Sequence, residues 1–297
     1  MSFNDFSSYR FDFDRLDAKL QNADDQKKYH SRWMEKYAGV FKNRENNFVA
    51  VEWTLRSKKA MRSIFSSATF LIEAKKNLEM KCFSSYYFCL YYSLFHATYS
   101  CVFLDSETRV DKLFSMTHSK LIKIFASSFA NSNADIATRY TLDLFLELKH
   151  KREIYSYMTP FNNLFDYGED LEKLERILLE CYQLTSFQSL MIEKSYRKNI
   201  GKVIKLADID EPDAFNKLFH DFFSVHDVDG YKLFDPSSEN LRNKLLKYGF
   251  APEYIALDLD HQFDEFHTYD GFCQEYDNSE YALEVLDIWS LIARALM

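Results

Sequence analysis

The sequence predicts an all-α protein. Only six glycines and four prolines occur in 297 residues, too few for the frequent turns of a β-sheet protein. Along most of the chain, apolar residues recur at steps of three and four, which is the spacing of one helix face. Hydrophobic residues make up 47% of the chain and aromatic residues 17%, so there are enough apolar side chains to form a core.

Charge divides this helical chain into a basic and an acidic part. Residues 201–297 contain 8 basic and 20 acidic residues, a net charge of −12, whereas residues 1–200 contain 29 and 25, a net charge of +4. We therefore predict three segments: an N-terminal helical extension (1–47), a helical bundle (48–200) and a smaller, mostly helical acidic C-terminal domain (201–297).

The first three predicted helices precede residue 105. Charges of alternating sign predict a solvated helix over about 14–38, and apolar spacing predicts a long amphipathic helix over 48–80. Residues 82–104 contain no Asp, Glu, Lys or Arg over 23 positions, about the length of a membrane span. Because this run includes five tyrosines, four serines and a histidine, we interpret it as a buried bundle helix over 84–104, with Ser84 or Ser85 as its N-cap.

The bundle continues with three more helices. Thr117 predicts the start of a shorter helix over 117–129. The next helix, over 134–157, is stopped by Pro160, since the residue before a proline disfavours the helical conformation. An apolar stripe beginning near Gly168 predicts a helix over 168–197.

The acidic domain is predicted to contain helices over 213–225, 237–248 and 278–296, whereas 249–277 shows no clear periodicity. Its histidines stand six residues apart, at His220/His226 and His261/His267, which places each pair on opposite sides of a helix. No metalloprotease, calcium, phosphate-loop or dinucleotide motif occurs in the sequence. We therefore predict no metal site and no cofactor.

The end of the helix over 134–157 concentrates cations and hydroxyls. Lys149, His150, Lys151 and Arg152 are followed at once by Tyr155, Ser156 and Tyr157. One interpretation is a cationic helix terminus, where side-chain cations interact with unpaired carbonyls, or an ion pair of Arg152 with a nearby glutamate. The other is RNA binding, because arginine grips phosphate with two hydrogen bonds and aromatic rings stack on bases.

Three segments of the bundle resemble the HEPN domain family, and together they lie within residues 48–197. They are Ser85-Tyr86-Tyr87 with Tyr92-Ser93-Leu94-Phe95-His96-Ala97, Thr117-His118-Ser119-Lys120-Leu121, and Arg152-Glu153-Ile154-Tyr155-Ser156-Tyr157. The resemblance implies a helical bundle that dimerises with a second copy. In the ribonuclease members, it also implies metal-independent RNA cleavage by an arginine and a histidine that follows after four to six intervening residues.

This sequence departs from that pattern, because Tyr157, Met158 and Thr159 stand where the histidine is expected. A phenol with a pKa near ~10 is a poor base at neutral pH. His150 lies about 200° around the helix from Arg152, so it cannot replace the missing histidine within one subunit. Our hypothesis is that His150 or His118 contributes across a dimer. The resemblance thus implies a catalytic set of Arg152, Tyr157, His150 and His118.

Further side chains are predicted to bind RNA. They are Lys149, Lys151 and Tyr155 at the helix end, and Lys58, Lys59 and Arg62 on the helix over 48–80. The alternative for the last three cations is an ordinary solvated helix face.

Two functions are compatible with these features. The first is a HEPN-type RNA-binding protein or endoribonuclease of a toxin–antitoxin or phage-defence system. The second is a non-catalytic HEPN scaffold whose acidic domain contacts a basic protein partner or the chain's own basic half. We expect no membrane partner. Because five cysteines show no paired spacing and no signal segment is evident, we expect a cytoplasmic location.

Overall fold

The computed structural model describes residues 13–20, 22–42, 47–130, 139–157, 168–209, 212–226, 232–259, 262–263 and 280–296. Eleven α-helices lie in these residues, which confirms the predicted all-α fold. The described β structure consists of two strands of two residues each and one isolated bridge.

The helices are, in chain order, α1 (Asp14–Lys19), α2 (Ala23–Val40), α3 (Phe48–Glu79), α4 (Phe83–Phe103), α5 (Val110–Phe114), α6 (His118–Phe129), α7 (Arg139–Tyr157), α8 (Gly168–Asn199), α9 (Pro212–Phe223), α10 (Pro236–Tyr248) and α11 (Glu280–Leu296). Between α9 and α10, strands β1 (Val225–His226) and β2 (Lys232–Leu233) pair antiparallel. Single 3-10 turns occur at Leu206–Asp208 and Ile255–Asp258.

Every predicted helix has a counterpart, but several boundaries differ. The first predicted helix is divided into α1 and α2, because the Asn22 side chain caps a new helix by accepting from the backbone N–H of Asp24. The predicted caps Ser84 and Ser85 are wrong, since Cys82 precedes α4 and makes no side-chain cap bond. The cap predicted at Thr117 is confirmed, because its hydroxyl accepts from Lys120 N–H at 3.3 Å.

Two other differences concern single helices. Helix α5 lies in a segment for which no helix was predicted, and the helix predicted over 213–225 ends at Phe223. The predicted start of the fourth bundle helix, at 134–138, lies outside the described residues. The described residues of α7 stop at Tyr157, so the helix end predicted there stays a prediction.

Helix α4 lies at the centre of the bundle, where it contacts α3, α6, α7 and α8. This explains its lack of charge, since most of its side chains are buried. Its polar atoms are bonded inside the protein: the hydroxyl of Tyr99 donates to the carbonyl of Leu113 (2.5 Å), and Ser93 donates to the carbonyl of Ser67 (2.7 Å). Among the described helices, none has the length and apolar character needed to span a bilayer.

The acidic C-terminal part packs on the bundle. Helix α9 contacts α3, and α11 contacts both α3 and α8. Its buried side chains, such as Phe219 and Ile292, belong to the same hydrophobic core as those of α3 and α4. The division into separate domains at residue 200 stays a prediction.

Gly249, which ends α10, gives the first testable prediction. Its φ of +93° lies in the region that favours glycine, and an added Cβ would lie 2.6 Å from the carbonyl oxygen of Ile204. Ile204 also forms a backbone bridge with Phe250, so it cannot move away freely. We expect Gly249→Ala to lower the free energy of unfolding by about 1–3 kcal/mol, measured by urea denaturation.

Gly39→Ala is the matched control for this substitution. Gly39 lies within α2, and a Cβ added there meets no atom within 4 Å. Because alanine favours helix over glycine, we expect stability to be unchanged or raised by up to about 1 kcal/mol. If both variants lose the same free energy of unfolding, the backbone strain assigned to position 249 is contradicted.

Candidate functional site

Cationic and aromatic side chains meet where α4, the start of α6 and the last turns of α7 come together. Tyr91 is supplied by α4, His118 is the first residue of α6, and Arg152 belongs to α7. We name these three residues the Arg–Tyr–His cluster. Thr117 fixes the start of α6 by its cap bond, and α6 and α7 both pack on α4, so three separate elements position the cluster.

Close contacts hold the cluster together. The hydroxyl oxygen of Tyr91 lies 2.5 Å from Nδ1 of His118. The guanidinium carbon of Arg152 lies 4.5 Å from the centre of the Tyr91 ring, and 6.0 Å from that of Tyr92. These are cation–π distances. Within the described residues, the ion pair of Arg152 is a loose one with Glu153, at 3.7 Å.

The surroundings set the protonation of the cluster. Burial lowers the pKa of His118 below its usual value, and the positive charges of Arg152 and Lys149 lower it further. Burial raises the pKa of Tyr91, so its phenol keeps its proton at neutral pH. A neutral imidazole can therefore accept a proton at Nε2 while Nδ1–H donates to the oxygen of Tyr91. His118 is half-buried, which leaves its ring partly accessible.

Three predicted site residues come together here. Arg152, His118 and Lys149 are grouped, since Lys149 acts electrostatically on the His118 ring. The hypothesis for His118 was a contribution across a dimer; in the structure it contacts Tyr91 of the same chain, because α6 packs against α4. The alternative interpretation of Arg152, an ion pair with a nearby glutamate, agrees with its contact with Glu153.

The other two predicted catalytic residues lie away from the cluster. His150 is exposed, and Tyr157 is the last residue of α7 with 80% of its surface exposed. Within the described part of the chain, neither side chain makes a hydrogen bond, ion pair or ring contact with Tyr91, His118 or Arg152.

Two residues predicted to bind RNA are internal. Tyr155 is fully buried and stacks on Tyr87 with ring centres 4.9 Å apart, so it cannot stack on a base. The ammonium of Lys151 donates to Asp170 (2.6 Å) and to Glu147 (2.7 Å). Burial alone would lower the pKa of Lys151, but these two carboxylates raise it. We therefore correct both assignments to structural roles.

The three predicted cations of α3 face the acidic C-terminal part. Lys58 pairs with Asp258 at 2.5 Å, and Arg62 donates to the Ser238 hydroxyl, also at 2.5 Å. Lys59 lies over the Phe223 ring, where burial and the charge of Arg62 lower its pKa to about 8. Both predictions for these three cations, phosphate binding and a solvated helix face, are therefore wrong, because the chain's own C-terminal residues cover the three side chains.

Sequence reasoning missed Tyr91 and Tyr92. Both belong to a run of aromatic residues on α4, and nothing in their spacing shows which ring meets α6 and α7. Among the described residues, no group of three or more His, Cys, Asp or Glu side chains is placed to hold a metal ion.

No protein-family model matches the chain, and searches of curated proteins and of solved structures find no match either. The function is therefore inferred from the Arg–Tyr–His cluster.

Proposed function

We propose that the protein is a HEPN-type endoribonuclease that binds and cleaves RNA at the Arg–Tyr–His cluster without a metal ion. The observation that carries this proposal is the contact of His118 with Tyr91, whose ring face also holds Arg152. An imidazole with a lowered pKa thus lies beside a permanent cation that has only a loose ion pair. That combination is the one that cleavage through the RNA 2′-hydroxyl requires.

The reaction would proceed in one displacement. His118 takes the proton of the 2′-hydroxyl at Nε2, and the 2′-oxygen attacks the adjacent phosphorus. The bond from phosphorus to the 5′-oxygen breaks, and that oxygen takes up a proton from water. The products are a 2′,3′-cyclic phosphate and a free 5′-hydroxyl. Arg152 and Lys149 would stabilise the negative charge that develops on the phosphate oxygens.

In this proposal His118 supplies the imidazole that is missing from the HEPN motif after Arg152. The proton acceptor then comes from a different helix of the same chain. Tyr91 orients the His118 ring through its hydroxyl and supports Arg152 with its ring face. Dimerisation through the bundle, a role in toxin–antitoxin or phage-defence systems and a cytoplasmic location belong to the same proposal.

Substitution of Arg152 tests the function. We expect purified protein in EDTA to cleave total RNA or tRNA and leave 2′,3′-cyclic phosphate ends. Arg152→Ala should reduce kcat/KM by about 10²–10³-fold, because a donor that stabilises developing charge is lost. Arg152→Lys should recover part of the rate, since it restores the charge without the planar fork.

Arg176→Ala is the matched control, because Arg176 is also a cation over a tyrosine ring, 5.9 Å from the centre of Tyr140, outside the cluster. We expect its activity to equal that of the wild type. Wild-type protein free of nuclease activity would reject the enzymatic proposal. Cleavage that survives in Arg152→Ala would place the active site elsewhere.

The second candidate function is a non-catalytic scaffold that binds a basic protein. Its support is the contact between the acidic part and α3, where Asp258 pairs with Lys58 and Asp235 lies 4.0 Å from Arg62. An acidic surface that already pairs with cations of its own chain is suited to cations of a partner. This function is favoured if the wild-type protein binds a basic protein in the absence of RNA and does not cleave RNA.

A further inference from the structure

An aromatic surface adjoins the Arg–Tyr–His cluster. It consists of Phe88, Tyr92, Phe95 and His96 of α4 with Phe70 of α3, and we name these five residues the aromatic strip. The four positions on α4 are spaced by four, three and one residues, so they share one face of the helix. From Phe88 to His96 this face is about 12 Å long. Phe88 is 43% exposed, and the other four side chains are half-buried.

The rings of the strip contact one another and then reach the cluster. Phe88 and Tyr92 have ring centres 4.6 Å apart, and Phe70 stacks on His96 at 5.6 Å with an interplanar angle of 9°. Phe95 lies 4.8 Å from the ring of His118. Burial and the charge of Lys59 lower the pKa of His96 to about 4, so its ring is neutral at pH 7. The strip is therefore an uncharged, partly exposed row of π faces that ends at His118.

Cations border the strip, whereas its faces carry no charge. Arg152 lies 6.0 Å from the centre of Tyr92, and Lys149 acts on the adjoining His118. Lys59 also acts on His96, but the C-terminal part covers it, so it is not one of the cations available to a ligand on the strip. One carboxylate also lies near the strip. It belongs to Glu73, one turn from Phe70 on α3, and it accepts a hydrogen bond from the thiol of Cys89 at 3.7 Å. Stacking faces flanked by cations are the combination that binds single-stranded nucleic acids.

We infer that the aromatic strip binds unpaired bases beside the cleavage site, so the substrate is single-stranded RNA. This inference rests on the proposed function. Bases in a duplex are already stacked and paired, and their faces cannot reach the rings of the strip. A second copy of the chain fits the strip less well, because its own strip would bring a second set of the same cations, Arg152 and Lys149, to this surface.

Binding of a probe that cannot be cleaved tests the strip separately from catalysis. The probe is a fluorescent 2′-O-methyl oligonucleotide, used single-stranded and as a duplex, with affinity measured by anisotropy. We expect Phe88→Ala and Tyr92→Ala each to weaken single-strand binding by about 5- to 150-fold, the range for loss of one base-stacking ring. The wild type should bind the duplex probe more weakly than the single strand. Both variants should bind the duplex as the wild type does.

Conservative variants separate stacking from folding. Phe88→Leu keeps apolar volume but has no π face, so it should lose binding, whereas Tyr92→Phe keeps the face and should bind like the wild type. Tyr248→Ala removes an exposed ring on α10, outside the strip, and should change nothing. Circular dichroism checks that each variant is folded.

The outcomes distinguish the two proposals. Strip-dependent binding of the probe by a protein that does not cleave RNA would reject the proposed reaction and keep the strip. Cleavage by the wild type with full single-strand affinity in Phe88→Ala and Tyr92→Ala would reject the strip alone. If Phe88→Ala instead converts a dimer to a monomer and leaves RNA affinity unchanged, the strip is a self-association surface and the inference is wrong.

Discussion

Asp170→Ala is expected to lower the free energy of unfolding by up to about 3–5 kcal/mol, the cost of removing one partner from a buried ion pair. The ammonium of Lys151 donates to Asp170 at 2.6 Å, and their side chains are only 8% and 4% exposed. The hydroxyl of Tyr87 also donates to Asp170, at 3.4 Å. After the substitution, Glu147, which is half exposed, is the carboxylate still bonded to Lys151 among the described residues.

A matched control and a double variant make this prediction specific. Asp143→Ala removes the same group from an exposed position on α7, and we expect a change within about 0.5 kcal/mol. Lys151→Met combined with Asp170→Leu removes both charges and should recover most of the lost stability. Stabilities are compared by urea denaturation. Equal stability of Asp170→Ala and Asp143→Ala would contradict the buried pair.

The double variant also decides whether Lys151 has a role in RNA binding. If the lysine is purely structural, the folded double variant should bind single-stranded RNA like the wild type. Loss of RNA affinity in that folded variant would reinstate the role predicted from the sequence.

The structural role of Lys151 could have been read from spacing, whereas its partner could not. Thr141, Leu144, Leu148, Lys151 and Tyr155 recur at helical steps, and all five are buried. A lysine on such a stripe needs an anionic partner, and the sequence therefore indicates burial of Lys151 with an acid. That acid is on α8, a different helix, and helical periodicity gives no information about which residues of two helices meet.

The long helix α3 shows a second limit. Its apolar stripe was predicted correctly, and its opposite face, with Lys58, Lys59 and Arg62, has the composition of a solvated surface. In the structure, α9 and α11 pack on α3. Asp235, which precedes α10, lies 4.0 Å from Arg62, and Asp258, in the 3-10 turn after α10, pairs with Lys58. The charge division of the sequence did indicate an acidic part that can contact the basic half. Which helix it contacts depends on packing between segments far apart in the chain.

In the Arg–Tyr–His cluster, the identity of two residues was predicted from local sequence, but their arrangement was not. Arg152 and His118 were identified from the HEPN-like motifs, which depend only on local sequence. Their approach to each other through Tyr91 depends on how α4, α6 and α7 pack. This packing brings an imidazole to Arg152 without a histidine in the α7 motif.

His118→Ala is expected to reduce kcat/KM for RNA by about 10²–10⁴-fold, the contribution of a general base. The pH dependence identifies the group. In the proposed reaction the base is the neutral imidazole, and the pKa of His118 lies below its usual value because of burial and the charges of Arg152 and Lys149. In wild type, kcat/KM should therefore be level near neutral pH and fall as the pH drops through this lowered pKa.

Arg152→Lys should leave this acidic limb nearly in place, whereas Arg152→Ala should move it to higher pH, because loss of the positive charge raises the pKa of His118. Arg176→Ala, which removes a cation outside the cluster, should not shift the limb. The measurement is kcat/KM from about pH 4 to about pH 8, with the His118 pKa read independently from its proton chemical shifts in NMR. His150→Ala is the comparison: if it abolishes cleavage while His118→Ala retains both rate and acidic limb, the proton acceptor is the exposed histidine acting across a dimer, and the assignment to His118 is wrong.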